Sequence, residues 1–303
     1  MIVAVAAGVQ AGPLTSRRVG SLLYTMISIL ILGSGGAVPT PQRTPAASWL
    51  EIDGLGVLLD PGPGALVRLV KDAQGPGGLD AVDTVLFTHL HLDHCADLPS
   101  LLFAMHLRQL PSTRPLRLAG PRGLADYHRK LGDLYGDWIV PHRRPLEILE
   151  MDPGDRLVPD GEAGWRLGGA GEGASIAAFA AAHGEARFSR VDLGYRFVDG
   201  DGRVLVHSGD SGPNPELAAA AAGADLLVVE CSLPDGSEVE GHMTPERVGR
   251  LCAEARPRRV ALTHVYPETS ALDLPALVGA RFDGPVVVAA DGDLFRIHEE
   301  SRT

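Results

Sequence analysis

Thr88-His89-Leu90-His91-Leu92-Asp93-His94 is the stretch from which the rest of the chain can be read. It follows the hydrophobic run Val85-Leu86-Phe87 and precedes an amphipathic segment, Leu98–Leu110, which puts it on a strand-to-helix loop. Four side chains able to hold a metal fall within six positions. Histidines two apart in extended backbone point the same way, so His89 and His91 can grip one ion together. After the chain turns, Asp93 and His94 can face a second ion beside it. Three of the chain's 11 histidines in so short a loop is not what an even scatter over 303 residues would give.

Outward from this loop, strand-like runs recur: Ile27–Leu32, Gly56–Asp60, Asp83–Thr88, Leu116–Ala119, Leu146–Glu150, Ile176–Ala182, Leu193–Val198, Val204–His207, Leu226–Glu230, Val260–Thr263, Val286–Ala290 and Leu294–His298. Asp199-Gly200-Asp201-Gly202 reads as a hairpin turn, and Asp291-Gly292 repeats the signal. Helices are expected over Gly64–Ala73, Leu98–Leu110, Leu124–Leu134, Pro215–Ala222 and Pro245–Ala255, the last with Thr244 as N-cap and Pro245 at its first position. Mixed strands and helices without a break predict one α/β domain, residues 26–303, of two similar halves meeting near 150–175. Residues 1–25 read as a loosely ordered extension. A competing reading makes 1–32 an export signal, since Arg17-Arg18 precedes an apolar run; the β-branched run ending in Gly33-Ser34-Gly35-Gly36 favours a buried first strand.

Composition narrows the function classes. Hydrophobic residues make up 45% and charged residues 21%, which excludes a disordered or fibrous chain. The 27 Lys and Arg stand against 38 Asp and Glu, a net charge of −11 that repels polyanions at long range. An extended nucleic-acid footprint is therefore not expected. Aromatic residues, at 5%, are too few for a base-stacking surface. The basic run Arg114, Arg117, Arg122, Arg129, Lys130, Arg143 and Arg144 reads as a solvated face. No apolar stretch is long enough to span a membrane. Cys95, Cys231 and Cys252 form no CxxC pair, so a reducing, cytoplasmic setting is expected.

The His89–His94 pattern resembles the H-x-H-x-D-H motif of the metallo-β-lactamase fold superfamily. Ala182-His183-Gly184, Ser208-Gly209-Asp210, Thr263-His264 and Asp60 in Leu58-Leu59-Asp60-Pro61-Gly62 are similar to that family's later elements, in family order. The resemblance implies an αββα four-layer sandwich, two mixed sheets packed face to face with helices outside. It implies a pair of divalent cations, zinc first, with manganese or iron as alternatives. His89, His91 and His183 would hold one, Asp93, His94 and His264 the other, with Asp210 bridging and Asp60 supporting from outside the ligand set.

Leu32-Gly33-Ser34-Gly35 with Pro39 and Arg43, Gly120-Pro121-Arg122-Gly123-Leu124, Gly194-Tyr195, and Glu230 with Gly241-His242-Met243-Thr244 are similar to the ribonuclease Z branch. That branch implies phosphodiester cleavage by a hydroxide bridging the metals, with Asp93, His242 and Glu230 as catalytic groups and a small phosphodiester or RNA-like substrate; homodimers are common in it. One departure stands out: only 26 residues separate His183 from Asp210, and no Gly/Pro-rich arm for clamping tRNA is evident. The same ligand set also serves lactone or thioester hydrolysis. A di-iron oxidoreductase is the alternative from another class, and a non-catalytic metal-binding scaffold is the blandest reading. His106, His128, His142, His207 and His298 have no such context and read as core or surface histidines.

Overall fold

A computed structural model describes residues 26–297 except 73–74, 77, 109–113, 162–163, 170, 172, 185–190 and 238. The proposed extension, residues 1–25, and His298 lie outside the described residues. In chain order the first half runs β1 (Ile27–Gly33), β2 (Ala47–Ile52), β3 (Leu55–Leu59), α1 (Ala65–Lys71), β4 (Thr84–Leu86), α2 (Leu92–Cys95), α3 (Leu98–Arg108), β5 (Leu116–Pro121), α4 (Leu124–Tyr135) and β6 (Leu146–Met151). The second runs β7 (Arg156–Pro159), β8 (Trp165–Gly168), β9 (Ser175–Ala181), β10 (Asp192–Val198), β11 (Val204–His207), α5 (Pro215–Ala221), β12 (Leu226–Glu230), α6 (Pro245–Ala255), β13 (Val260–Thr263), α7 (Pro267–Ser270), α8 (Leu274–Gly279), β14 (Val286–Val288) and β15 (Leu294–Ile297).

The strands form two sheets, ordered β15-β1-β2-β3-β4-β5-β6 and β14-β13-β12-β11-β10-β9-β7-β8. Side-chain alternation explains why they stack with helices outside. In β1, Ile27, Ile29 and Ile31 enter the core between the sheets, while Leu30 and Leu32 point into a second core with residues of α1, α3 and α4. In β12, Leu226 and Val228 face the inter-sheet core and Leu227 and Val229 face a third core with α5, α6 and α8. Strands apolar on both faces are those buried on both faces, and four layers follow. The αββα expectation is met.

Three strands escaped the sequence reading: β2, β7 and β8. In β2 the serine and glutamate that break the apolar run, Ser48 and Glu51, disguise a strand whose Trp49 packs under the helices. The short β7–β8 hairpin is set among Gly, Pro and Asp, which read as loop. The 199–203 connection is the expected hairpin, but the positive φ falls on Gly202, at 76°, rather than on Gly200. The basic run is not simply a solvated face. Arg117 is 4% exposed and spans Glu147 and Asp160, and Arg144 pairs with Asp83, so part of that charge is consumed inside the fold.

Both sheets present the C-terminal ends of several strands to one edge. Asp60 follows β3, His89 follows β4, His183 follows β9, Asp210 follows β11, Glu230 ends β12 and His264 follows β13. The sheets are stitched at this edge. Leu193 N–H donates to Thr88 O at 2.8 Å and Tyr195 Oη donates to Phe87 O at 2.6 Å. Among the described residues, no helix is long and apolar enough to cross a membrane.

Candidate metal centre

The loop after β4 stays extended through His91, which then caps α2 with φ −69° and ψ 152°. The extended part brings the His89 and His91 rings to 4.7 Å between centroids; the turn of helix carries Asp93 and His94 to the other side. His183 joins the first pair, its ring 4.9 Å from each. Asp210 and His264 join the second. Among the described residues four donor groups have all their ligand atoms within 4.8 Å of one another: His89–His91–His183 and Asp93–His94–Asp210–His264, which together take in the whole expected ligand set, and His183–Asp210–His242 and Glu230–His242–His264, which bring His242 to their edge. Asp210 lies between the first two: its carboxylate is 3.9 Å from His89 Nε2 and His183 Nε2, 3.4 Å from His94 Nε2 and 3.3 Å from His264 Nε2.

Outer hydrogen bonds fix which nitrogen of each ring faces inward. Thr88 Oγ1 donates to Asp60 Oδ2 at 2.7 Å, so it can only accept from His89 Nδ1, 2.9 Å away. His94 Nδ1 donates to the same Asp60 oxygen at 3.0 Å. Ser232 Oγ donates to Glu230 Oε2 and accepts from His264 Nδ1 at 2.9 Å. His183 Nδ1 lies 3.2 Å from Asp192 Oδ2. Nε2 of His89, His94 and His264 is thereby turned toward the centre, the arrangement metal-ligating histidines adopt, and His183, with Nδ1 at ion-pair distance from Asp192, also presents Nε2 there, 3.9 Å from Asp210. Thr88, Asp192 and Ser232 are residues the sequence reading missed. Asp192, just before Leu193-Gly194-Tyr195, carried a signal in being a carboxylate at the start of a strand that borders the histidine motif.

Two backbones at the centre, one of a supporting residue and one of a proposed ligand, are unusual. Asp60 and His264 adopt left-handed φ of 48° and 53°, which non-glycine residues avoid unless the surroundings hold them there. For His264 the holding contacts are Val265 N–H to Ser34 O at 3.1 Å and its own Nδ1 to Ser232 Oγ at 2.9 Å.

The donor chemistry fits divalent cations. His89 Nε2 and Asp210 Oδ1 are buried with no hydrogen bond; the 3.4 Å approach of His94 Nε2 to Asp210 does not amount to one. Burial, with His94 second, pushes the His89 imidazole well below its usual value, leaving a neutral lone pair. Burial alone would raise the Asp210 carboxyl, but His264 and His94 outweigh it and hold it well below the carboxylate range. Burial likewise works against charge on His94 and His264, and Asp210 reverses it, raising both. Such a field favours positive charge at the centre. Neutral His89 and ionised Asp210 are in the forms a metal requires, and a cation at the centre would take the place of the protons that Asp210 favours on His94 and His264.

At the rim, His242 stacks on His264 at 6.0 Å and 11°, and its Nδ1 lies 3.0 Å from Glu230 Oε1. Glu230 is fully buried and also accepts from Ser211 N–H at 2.7 Å and Met243 N–H at 3.2 Å, so its carboxylate is held in place. Burial lowers the His242 imidazolium, but the Glu230 hydrogen bond and charge prevail and raise it. Thr244 caps α6 through Arg247 N–H, which places His242 just ahead of that helix. Of the remaining histidines, His106 is buried with Nδ1 2.9 Å from Val140 O, and His207 is buried and pushed down to about 4. Neither joins a donor set.

Comparison with known proteins follows the same line. Residues 56–265 match the model of the beta-lactamase superfamily domain. An uncharacterised protein of Mycobacterium leprae is 31% identical over 304 residues, covering 94% of this chain and 93% of its own. A ribonuclease Z of Halobacterium salinarum is 28% identical over 305 residues, covering 88% of this chain and 96% of its own. The metallo-beta-lactamase fold protein YhfI of Bacillus subtilis superposes with a TM-score of 0.72 at 21% identity, over 90% of this chain and all of that one. With the family model spanning more than two thirds of its length, the chain belongs to the metallo-β-lactamase superfamily of metal-dependent hydrolases.

Proposed function

We propose that the protein hydrolyses phosphodiester bonds with two cations, zinc in the first instance, held by His89, His91 and His183 on one side and Asp93, His94 and His264 on the other, with Asp210 shared. The observation that carries this reading is the pairing of the double donor set with a carboxylate-anchored imidazole, His242–Glu230, on the same rim. Bound there, two divalent cations supply Lewis acidity, activating water and neutralising charge on the phosphoryl group. Asp60, Thr88, Asp192 and Ser232 keep the imidazoles aimed. His242 donates a proton to the leaving oxygen as the P–O ester bond breaks and water's oxygen bonds to phosphorus, and the proton that the water gives up passes to solvent, from which His242 is recharged. Glu230 keeps His242 protonated and oriented for that transfer. The ribonuclease Z name of the Halobacterium relative supports a phosphodiester over a lactone or thioester. Free, buried cysteines agree with a reducing compartment such as the cytoplasm.

A substrate panel on metal-replete protein tests this. Bis(p-nitrophenyl) phosphate should be turned over well above lactones and thioesters. Turnover of lactones or thioesters alone would overturn it, as would fewer than one metal ion per chain after purification without chelator.

A further inference from the structure

Beside His183 the metal centre opens into a cleft of about 800 Å³ that reaches Arg247. Its volume lies in the range of small-ligand sites. Its lining sets Arg247 and His183 beside two carboxylates, Glu240 and Asp192, the second of which faces His183 Nδ1 at 3.2 Å. Gly241, at φ 88°, presses on the His183 backbone so closely that a Cβ would lie 2.1 Å from His183 O, and Gly212 packs against Gly241 in turn.

Arg247 Nη1 donates to Val239 O at 3.1 Å and to His242 O at 2.8 Å. Those bonds fix the guanidinium plane and leave Nη2 and Nε uncommitted, because arginine carries five donors in a rigid fork. Arg68, Arg122, Arg129, Arg250 and Arg281 each pair with a carboxylate in this acidic chain. Arg247 pairs with none among the described residues. Glu240 lines the same cleft but is exposed and forms no ion pair with it. A half-buried, pre-oriented cation lining a roomy cleft costs little ordering to bind an anion, and its fork matches phosphate.

We infer that Arg247 anchors a second phosphate of the substrate, one carried by the moiety flanking the scissile bond and lying in the cleft beyond His183. The inference rests on the phosphodiester reading and narrows it: the preferred substrate is a nucleotide-like diester bearing an additional terminal phosphate. Arg247 thus has two tasks, bracing the loop that carries His242 and selecting the substrate.

The test compares three diesters on metal-replete protein: a 5′-phosphorylated dinucleotide, the same dinucleotide without that phosphate, and bis(p-nitrophenyl) phosphate. Wild-type protein should show the lowest KM for the first. Arg247→Gln should raise that KM tenfold or more while moving the KM of the other two less than threefold, Arg247→Lys should fall between, and any loss of the brace on His242 should show separately as a common fall in kcat. Unchanged melting temperature and metal content serve as folding controls, and Arg247→Lys carries the comparison if the Gln variant misfolds. An equal fall in kcat on all three with KM unchanged would reduce Arg247 to a brace and overturn the inference, as would a wild type indifferent to the extra phosphate. Calorimetry with adenosine 3′,5′-bisphosphate separates the two readings without turnover. Binding lost in Arg247→Gln supports the anchor even where no diester is cleaved, in which case the phosphodiester reading alone fails. Equal binding by both proteins overturns the anchor.

Discussion

The two donor sets differ in what holds them. His89–His91–His183 is built from imidazoles alone, and His91 and His183 are only partly buried. Asp93–His94–Asp210–His264 brings two carboxylates, with all but Asp93 fully buried, backed by Asp60 and Ser232 and by two backbones in left-handed conformation. More opposing charge and less water mean tighter cation binding at the second set. The difference predicts that a symmetric-looking pair of sites is unequal by construction, one firm and one exchangeable.

Removing what the sets share should do the most damage. Asp210→Ala is expected to cut activity by about 10³-fold or more, the scale on which preorganised charge stabilisation acts, and to lower the metal content measured by elemental analysis to one ion or less. Retention of two ions would break the claim that Asp210 is common to both. His242→Ala leaves both sets intact and should slow phosphodiester cleavage by about 10²–10⁴-fold at unchanged metal content. Unchanged rates would remove His242 from the chemistry.

Supporting residues sharpen the contrast, because each belongs to one set. Asp192→Asn should weaken the imidazole-only set, and Ser232→Ala the carboxylate-rich one, each by about 10–100-fold in metal affinity measured by chelator competition. Equal loss from both sets in either variant would contradict the assignment. The mildest effect is kinetic. Titrating wild-type protein with a chelator should release one ion before the other, and Asp192→Asn should advance only the first step.

What the sequence made legible follows from how locally each part is encoded. His89 to His94 sit on one loop, so spacing alone displays their chemistry. Ile27–Leu32 and Pro245–Ala255 are legible for the same reason, one by continuous β-branched burial, the other by Thr244 and Pro245 at its start. His183, Asp210 and His264 are single residues at strand ends, visible only because a family pattern tells the reader where to look. Ser232 was invisible and Asp192 only faintly marked because their task is defined by neighbours, Asp192 by His183 nine residues before it and Ser232 by His264, 32 residues downstream. Trp165, wholly buried in the inter-sheet core from a hairpin that reads as loop, shows the same limit for the fold: burial belongs to the partner surface as much as to the segment.

The left-handed turn at His264 has a bearing on engineering. Glycine or asparagine would adopt that conformation with less cost than histidine. A selection for heat resistance alone should therefore drift toward those residues at 264, harvesting stability while discarding a cation ligand, so any thermostabilised descendant of this hydrolase should be screened for metal content as well as melting temperature.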